Sequence, residues 1–415
     1  MRFISTAFGS AVGTALGLAL AAATPAAAQT AAAAQPAAKP LKLSPQAMKP
    51  IFDLQAAIKA KNSAAIPGLL VAANAAAKVP DDRSAIAQLQ LQAAIEANDP
   101  NALVAAADAL RAAGGTMSAS NLANIYIHAG QQLANAQQIG AATGALDKAH
   151  AVDPANIDVL LLKSDLLYKQ KQFGPSLDAL SQAIARKKAS GAVIPESWLQ
   201  AGVARSYEAK LPIAYDMARQ WASAYPTAGH WRDAINIYRN MSGLDRVGLI
   251  DMFRLARASK SLGGEADYAP FAEALIARGY PGEAVAVMQE GSAAGSISLQ
   301  SANLARTFAL AKGKSIGDRA AATAAARTAL GAAGAATTMA TADRLLGYGD
   351  FAQAATLYRA ALGKPGADAN LINLRLGEAL AQSGDKAGAM VALQAVGGAQ
   401  SDVAKYWLAW VSSRA

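Results

Sequence analysis

"LQAAIKAKN" at residues 54–62 returns as "LQAAIEAND" at residues 91–99, with the first five residues unchanged and a short polar stretch following each time. In the first copy Leu54, Ala57 and Ile58 fall on one helical face, "KNSAA" turns the chain, and Ile66, Leu69 and Leu70 begin a return helix. The second copy repeats the plan with Leu91, Ala94 and Ile95, a turn at "NDPN", then Leu103, Ala107 and Leu110. Two antiparallel helices joined by a short turn satisfy that spacing. A chain that writes the pair twice is building an array.

Composition agrees. Of 415 residues, 53% are hydrophobic and 16% charged, so a large apolar surface can be buried, and the length exceeds one compact core. Aromatic residues make up 6% and alanine dominates, which favours helices in close contact over a β-rich fold.

The opening segment, "MRFISTAFGSAVGTALGLALAAATPAAAQT", has one early cation at Arg2, an apolar run from Ala11 to Ala23, a breaker at Pro25 and small residues at Ala26 and Ala28. This is the layout of a secretory signal peptide cleaved between Ala28 and Gln29. The competing reading, a membrane anchor, needs ~20 uninterrupted apolar residues, and the run is shorter. Later alanine-rich stretches are interrupted by Lys, Arg, Asp and Glu, so no membrane span is expected after cleavage. Zero cysteines remove both a disulfide framework and a lipid-modified cysteine at the new N-terminus. A bacterial periplasm fits best, with full secretion as the alternative.

The net charge of +9 raises the question of an acidic partner. No basic helix interleaved with stacking aromatics is present, so nucleic acid is not expected. "ARKKAS" at 185–190 reads as cations at a helix C-terminus, where they complement the macrodipole. The overall balance leaves room for weak contact with anionic envelope polymers.

"QTAAAAQPAAKPLKLSPQ" after the leader cannot bury a core and reads as a linker. Beyond it the helical punctuation sharpens, in "GAATGALDKAHAVDPANIDVL" (140–160), "FGPSLDALSQAIARKK" (173–188), "GDFAQAATLYRAALGKPG" (349–366) and "GDKAGAMVALQAVGG" (384–398). Small residues stand at Ala142, Ser176, Ala214, Gly248, Ala284, Ala354 and Ala389, separated by 34, 38, 34, 36, 70 and 35. A companion series, Gly130, Ser164, Gly202, Ala272, Ala342 and Gly377, lies twelve residues earlier in each case. A bulky side chain at either site would push paired helices apart.

These segments resemble the tetratricopeptide repeat, a helix–turn–helix unit of about 34 residues. The resemblance implies an all-α superhelix of stacked antiparallel helix pairs, an α-solenoid. The expected organisation is a signal peptide at 1–28, an Ala/Pro-rich linker at 29–46, helical pairs at 47–118, repeats at 119–230, degenerate repeats at 231–334, and repeats with a capping helix at 335–415. The family's aromatic signature is mostly absent, Trp198 with Gly202 being its nearest counterpart. Asn236 replaces a small residue in the first-helix series, and 298–330 offers no clear small site.

Catalytic motifs fail on spacing. His128, His150 and His230 are isolated, and no metal-ligand motif surrounds them. "GKS" at 313–315 lacks the earlier glycine of a phosphate loop, because that position is Phe308. "GSAAG" at 291–295 puts Ser292 directly after the glycine, one residue too early for a nucleophile elbow. No enzyme activity, cofactor or metal is therefore expected. Aromatics crowd between Trp198 and Phe253 and are read as core filling, with a stacking surface as the alternative.

Stacked repeats present a concave surface lined by first helices, and that surface is the usual contact face of such arrays. The family resemblance places Asn124, Ile127, Gln131, Asn135, Asp165, Tyr168, Lys169 and Tyr207 there, a mixture suited to an extended polar peptide. The leading expectation is thus an exported, non-catalytic scaffold that binds a protein or peptide partner. The alternatives are an accessory factor in envelope assembly or polysaccharide export contacting an anionic glycan or outer-membrane partner, and the helical scaffold of a cell-wall lytic glycosidase.

Overall fold

The computed structural model describes residues 41–114 and 117–414. The leader read at 1–28 and most of the linker read at 29–46 lie outside them. Among the described residues there are 21 α-helices and no strand, so the all-α stack of antiparallel pairs is observed. The chain divides into two compact units, the first ending at Ala192 and the second starting at Val193, inside the 119–230 segment.

The first unit contains α1 (Pro45–Lys59), α2 (Ile66–Ala76), α3 (Pro80–Ala97), α4 (Pro100–Ala112), α5 (Ala119–Asn135), α6 (Ile139–Val152), α7 (Ile157–Lys169) and α8 (Phe173–Ala189). They pack as α1 with α2, α3 with α4, α5 with α6 and α7 with α8. The repeated sentence of the sequence is the end of a first helix. Its eighth residue is left-handed in both copies, Lys61 at φ 56° and Asn98 at φ 51°. The following amides reach back five residues, Asn62 N–H to the Ala57 carbonyl at 2.9 Å and Asp99 N–H to Ala94 at 3.2 Å. This Schellman closure satisfies carbonyls that the helix end would otherwise orphan and reverses the chain. Gln137 and Lys171 repeat it, with Gln138 N–H bonded to Leu133 at 2.8 Å and Gln172 N–H to Leu167 at 2.9 Å.

Asp82 fastens the start of this unit. Its buried carboxylate accepts from the Ser44 amide (2.8 Å), the Ser44 hydroxyl (2.7 Å), and the Lys78 (2.8 Å) and Val79 (3.1 Å) amides. Burial alone would raise its pKa, but these donors hold it down at about 2.

The twelve-residue ladder is the contact between paired helices. A Cβ at Gly130 would meet Leu146 Cδ2 at 3.1 Å and the Ala142 carbonyl at 3.4 Å. In the next pair Ser164 Oγ donates to the Ser176 carbonyl at 2.7 Å, and Ser176 Oγ donates back to Ser164 at 2.8 Å.

The second unit contains α9 (Glu196–Glu208), α10 (Ile213–Ala224), α11 (Ala228–Met241), α12 (Arg246–Ala258), α13 (Glu265–Arg278), α14 (Pro281–Ala293), α15 (Ala302–Lys314), α16 (Asp318–Leu330), α17 (Ala335–Gly347), α18 (Phe351–Leu362), α19 (Ala369–Ser383), α20 (Lys386–Gln394) and α21 (Ser401–Ser413). The ladder pairs α13 with α14 and α17 with α18, where Ala272, Ala284, Ala342 and Ala354 are all buried. In α19 a Cβ on Gly377 would stand 2.4 Å from Leu393 Cγ of α20.

The centre departs from the ladder. Gly248 faces Leu244 and, in α21, Val403 rather than Asn236 of α11. The close turn here joins α12 to α13 instead, with Lys260 at φ 56° and Ser261 N–H bonded to the Ala256 carbonyl at 2.8 Å. Within 298–330, α15 packs on α13 and α14, while α16 packs on α17 and α18. The last helix, α21, contacts α10 and α12 as well as α19 and α20, which closes the unit on itself.

Three aromatics of the 198–253 segment fill this core, while Trp198, Tyr215, Trp221 and Tyr225 are half-buried. Trp231, Tyr238 and Phe253 are buried, Tyr238 lies 5.0 Å from Tyr406 of α21, and Phe253 stacks 5.0 Å from Phe271. Tyr207 is the exposed member, at 47%.

Ala214 is completely buried at its ladder position in α10, whereas Ala209 is half-buried beyond the end of α9. Ala214→Leu is expected to destabilise by about 1–3 kcal/mol, the range for overpacking, and Ala209→Leu by less. Equal shifts in thermal melting would contradict this register.

Candidate functional site

Two places combine polar side chains in a way the core does not require. One is the solvent-facing stripe of the first helices in the first unit. The other is a sealed ionic cluster in the second.

On α5, Asn121, Asn124, His128, Gln131, Gln132 and Asn135 recur at intervals of three and four and so share one face. Four are exposed, while His128 and Gln132 are half-buried. The stripe runs about 21 Å at 1.5 Å per residue. Every other face of the helix is occupied by buried Leu122, Ala123, Ile125, Tyr126, Ala129 and Leu133. Gln132 Nε2 donates to the Asn98 side-chain oxygen at 2.8 Å, bridging consecutive pairs, and stands 3.1 Å from His128 Nε2. Burial lowers the His128 pKa, so the imidazole is neutral at physiological pH and the stripe carries no charge. Asp108 steadies the far side of the helix, accepting from the Tyr126 hydroxyl at 2.8 Å and pairing with Lys148 of α6.

The next first helix, α7, packs directly on α5 and continues the face in register. Asp158, Asp165 and Lys169 stand 34 residues after Asn124, Gln131 and Asn135, and all are exposed. α1 approaches α3 in the same way.

Of the residues anticipated from sequence, Asn124, Gln131, Asn135, Asp165 and Lys169 lie together on this face. Tyr168 is half-buried, its ring edge-on to Phe173 at 5.8 Å. Ile127 is a correction: it is 8% exposed and belongs to the apolar core, because its position at the stripe's edge turns an aliphatic chain inward. Tyr207 sits on α9 in the second unit. His128, Gln132 and Asn98 were missed, although the period of amides in "NLANIYIHAGQQLAN" signals the first two.

The second site is built from α12, α14, α17 and α19. Arg254 donates through Nε to Glu283 Oε1 at 2.9 Å and through Nη2 to Oε2 at 2.8 Å, a bidentate pair, and through Nη1 to Asp251 Oδ1 at 3.2 Å. Arg375 Nη1 donates to Asp343 Oδ2 at 2.7 Å, and its Nε lies 3.4 Å from Asp251 Oδ1. Asp343 also accepts from the hydroxyls of Tyr358 at 2.6 Å and Tyr280 at 2.7 Å. Trp407 of α21 caps the cluster, its indole N–H donating to the Asp251 carbonyl at 3.2 Å.

All six charged members are buried, with Arg375, Asp251 and Glu378 at 0% exposure. Burial tends to raise the Asp343 pKa, but Arg375, Arg254 and the two tyrosine hydroxyls bring it below the usual value. For Asp251 burial outweighs the neighbouring guanidiniums and the pKa rises. Arg254 and Arg375 both remain cations, held by the carboxylates despite their burial. A cluster closed to solvent offers a substrate no approach, so its chemistry is internal. No group of three or more His, Cys, Asp or Glu among the described residues is placed to hold a metal ion.

The sequence matches no known family profile and no curated protein. Among solved structures, resemblance is found to the TPR2AB domain of yeast Sti1 in a complex with pHSP90 (13% identity, TM-score 0.25, covering 71% of this chain and 99% of that one). It is also found to a Rap protein complexed with competence and sporulation factor (12%, TM-score 0.19, 80% and 99%) and to the APC/C hetero-tetramer Cut9–Hcn1 (13%, TM-score 0.18, 85% and 86%). Scores this low add no argument to the geometry above.

Proposed function

We propose that the chain is a non-catalytic scaffold of the bacterial envelope that holds an extended segment of a partner protein along the first-helix face of the first unit. The observation that carries this reading is the uncharged stripe on α5. Side-chain amides donate and accept at once, so a row of them can pair with the alternating N–H and C=O groups of an extended peptide. Asp158, Asp165 and Lys169 beside the stripe supply charge selection at the rim. An enzyme would need convergent titratable groups in an open cleft, and the polar groups on this face are mainly amides.

The envelope location rests on the order of charge, apolar run and small residues at 1–28. Among the described residues no helix is long and apolar enough to cross a membrane. The purified cellular protein is expected to begin at Gln29, and an intact mass that retains Met1 would remove the export reading.

The binding reading is tested by recovering the partner through crosslinking in cells and measuring its affinity for an Asn124→Ala/Gln131→Ala/Asn135→Ala variant. These side chains are exposed, so helicity should be unchanged. Binding is expected to weaken at least about tenfold, equivalent to 1.4 kcal/mol. Full affinity in a folded variant would exclude this face.

A further inference from the structure

The cluster in the second unit sets four carboxylates, Asp251, Glu283, Asp343 and Glu378, against two guanidiniums, Arg254 and Arg375. With every group ionised, the sealed interior would carry two uncompensated negative charges. Isolated charges in such surroundings are strongly disfavoured, and a proton on one carboxylate halves the excess. The hydrogen bonds show which one. Glu283 is engaged at both oxygens by Arg254, Asp343 accepts from Arg375, Tyr280 and Tyr358, and Asp251 Oδ1 accepts from Arg254. Neither oxygen of Glu378 has a hydrogen-bond partner, and Oε2 stands 3.8 Å from Arg254 Nη1.

We propose that Glu378 is a neutral carboxylic acid in the folded protein and acts as a proton-operated catch between α12 and α19, whose charged side chains meet in the cluster. Asp251 Oδ2 is likewise a buried acceptor without a donor, so this side of the cluster holds unpaired carboxyl oxygens from both helices. When the proton leaves, Glu378 becomes a second anion beside Asp251, and the excess negative charge forces α12 and α19 apart.

Facing Glu378 and its neighbours are Asp251 and Arg254 from α12, Glu283 with Tyr280 at the start of α14, Asp343 from α17, Tyr358 from α18 and Arg375 from α19 itself. Arg257 reaches the rim, 4.0 Å from Glu283, but is engaged by Glu290 at 2.5 Å. From α20 and α21 the neighbours are Leu393, beside Gly377, and Trp407. Burial first, then the Asp251 charge, push the Glu378 pKa well above the ordinary glutamate value, against the pull of Arg254 and Arg375.

A raised folded-state pKa means that the folded unit holds a proton the unfolded chain releases. The stabilising contribution is complete below the ordinary glutamate range and is lost as pH rises through the elevated value. Asp343 and Asp82 have lowered values and act in the opposite sense, in acid, while Asp251, whose value also rises, acts in the same sense as Glu378 and is told apart by the Glu378 variant.

The test is infrared spectroscopy of the intact protein at neutral pH with isotope-labelled glutamate or aspartate, together with denaturation midpoints over a range of pH. The expected result is a protonated-carboxyl band that shifts with labelled glutamate and is missing in Glu378→Gln. In that variant the fall of the midpoint from weak acid to weak base should shrink at least about twofold, since glutamine cannot ionise. Absence of the band in the wild type, a band that shifts with labelled aspartate and not with labelled glutamate, or an unchanged pH profile in Glu378→Gln would each overturn the proposal. The wild-type spectra decide the matter alone if the variant does not fold.

Discussion

Arg375→Ala is expected to destabilise the second unit by about 3–5 kcal/mol, the loss seen when one partner is removed from a buried ionic group. Arg375 is completely buried, pairs with Asp343 at 2.7 Å and stands 3.4 Å from Asp251, which Arg254 approaches at 3.2 Å. Its loss leaves four carboxylates facing Arg254 alone. Domains are commonly stable by only about 5–15 kcal/mol, so partial unfolding at moderate temperature should follow. Arg375→Lys should be milder, because it keeps the charge while giving up the planar fork. Chemical denaturation followed by hydrogen exchange in α12, α17 and α19 measures the effect. Wild-type exchange in those helices would show that the cluster does not hold the unit together.

Trp407→Ala should cost a similar amount, about 3–5 kcal/mol, as for other buried tryptophans truncated to alanine. The side chain is completely buried, stands edge-on to Trp410 at 5.5 Å and donates its indole N–H to the Asp251 carbonyl. The helix it anchors touches α10, α12, α19 and α20, so the cavity should loosen helices far apart in sequence. Exchange is expected to quicken in α10 and α12 as well as α21. Loosening confined to α21 would mean that this helix is only a terminal cap.

The local plan of the array was legible because close helix contact restricts residue size at fixed intervals. Gly130 and Ala142, or Ser164 and Ser176, can be read as partners from spacing, and the contacts between them follow. The repeated "LQAAI" text was legible as well, since both copies deliver the chain into the same left-handed residue. The ionic cluster was not, because burial of Asp251, Arg254, Arg375 and Glu378 depends on α12 meeting α19, more than a hundred residues away. A trace of it exists in "LIDMFRLARA" and "LINLRLGEALA", where charges three residues apart sit among large apolar side chains. Periodicity alone reads such charges as a solvated edge. The same limit misplaced Ile127, whose position borders the amide stripe while its neighbours draw it inward.

The most direct test of the scaffold reading is photo-crosslinking from single positions in living cells. A crosslinking residue at Gln131, on the exposed face of α5, is compared with one at Gln182, on the exposed side of the second helix α8. The account predicts that Gln131 captures a discrete protein partner and that Gln182 does not. Adducts of equal yield from both positions, or none from Gln131 in cells that contain the partner, would contradict it.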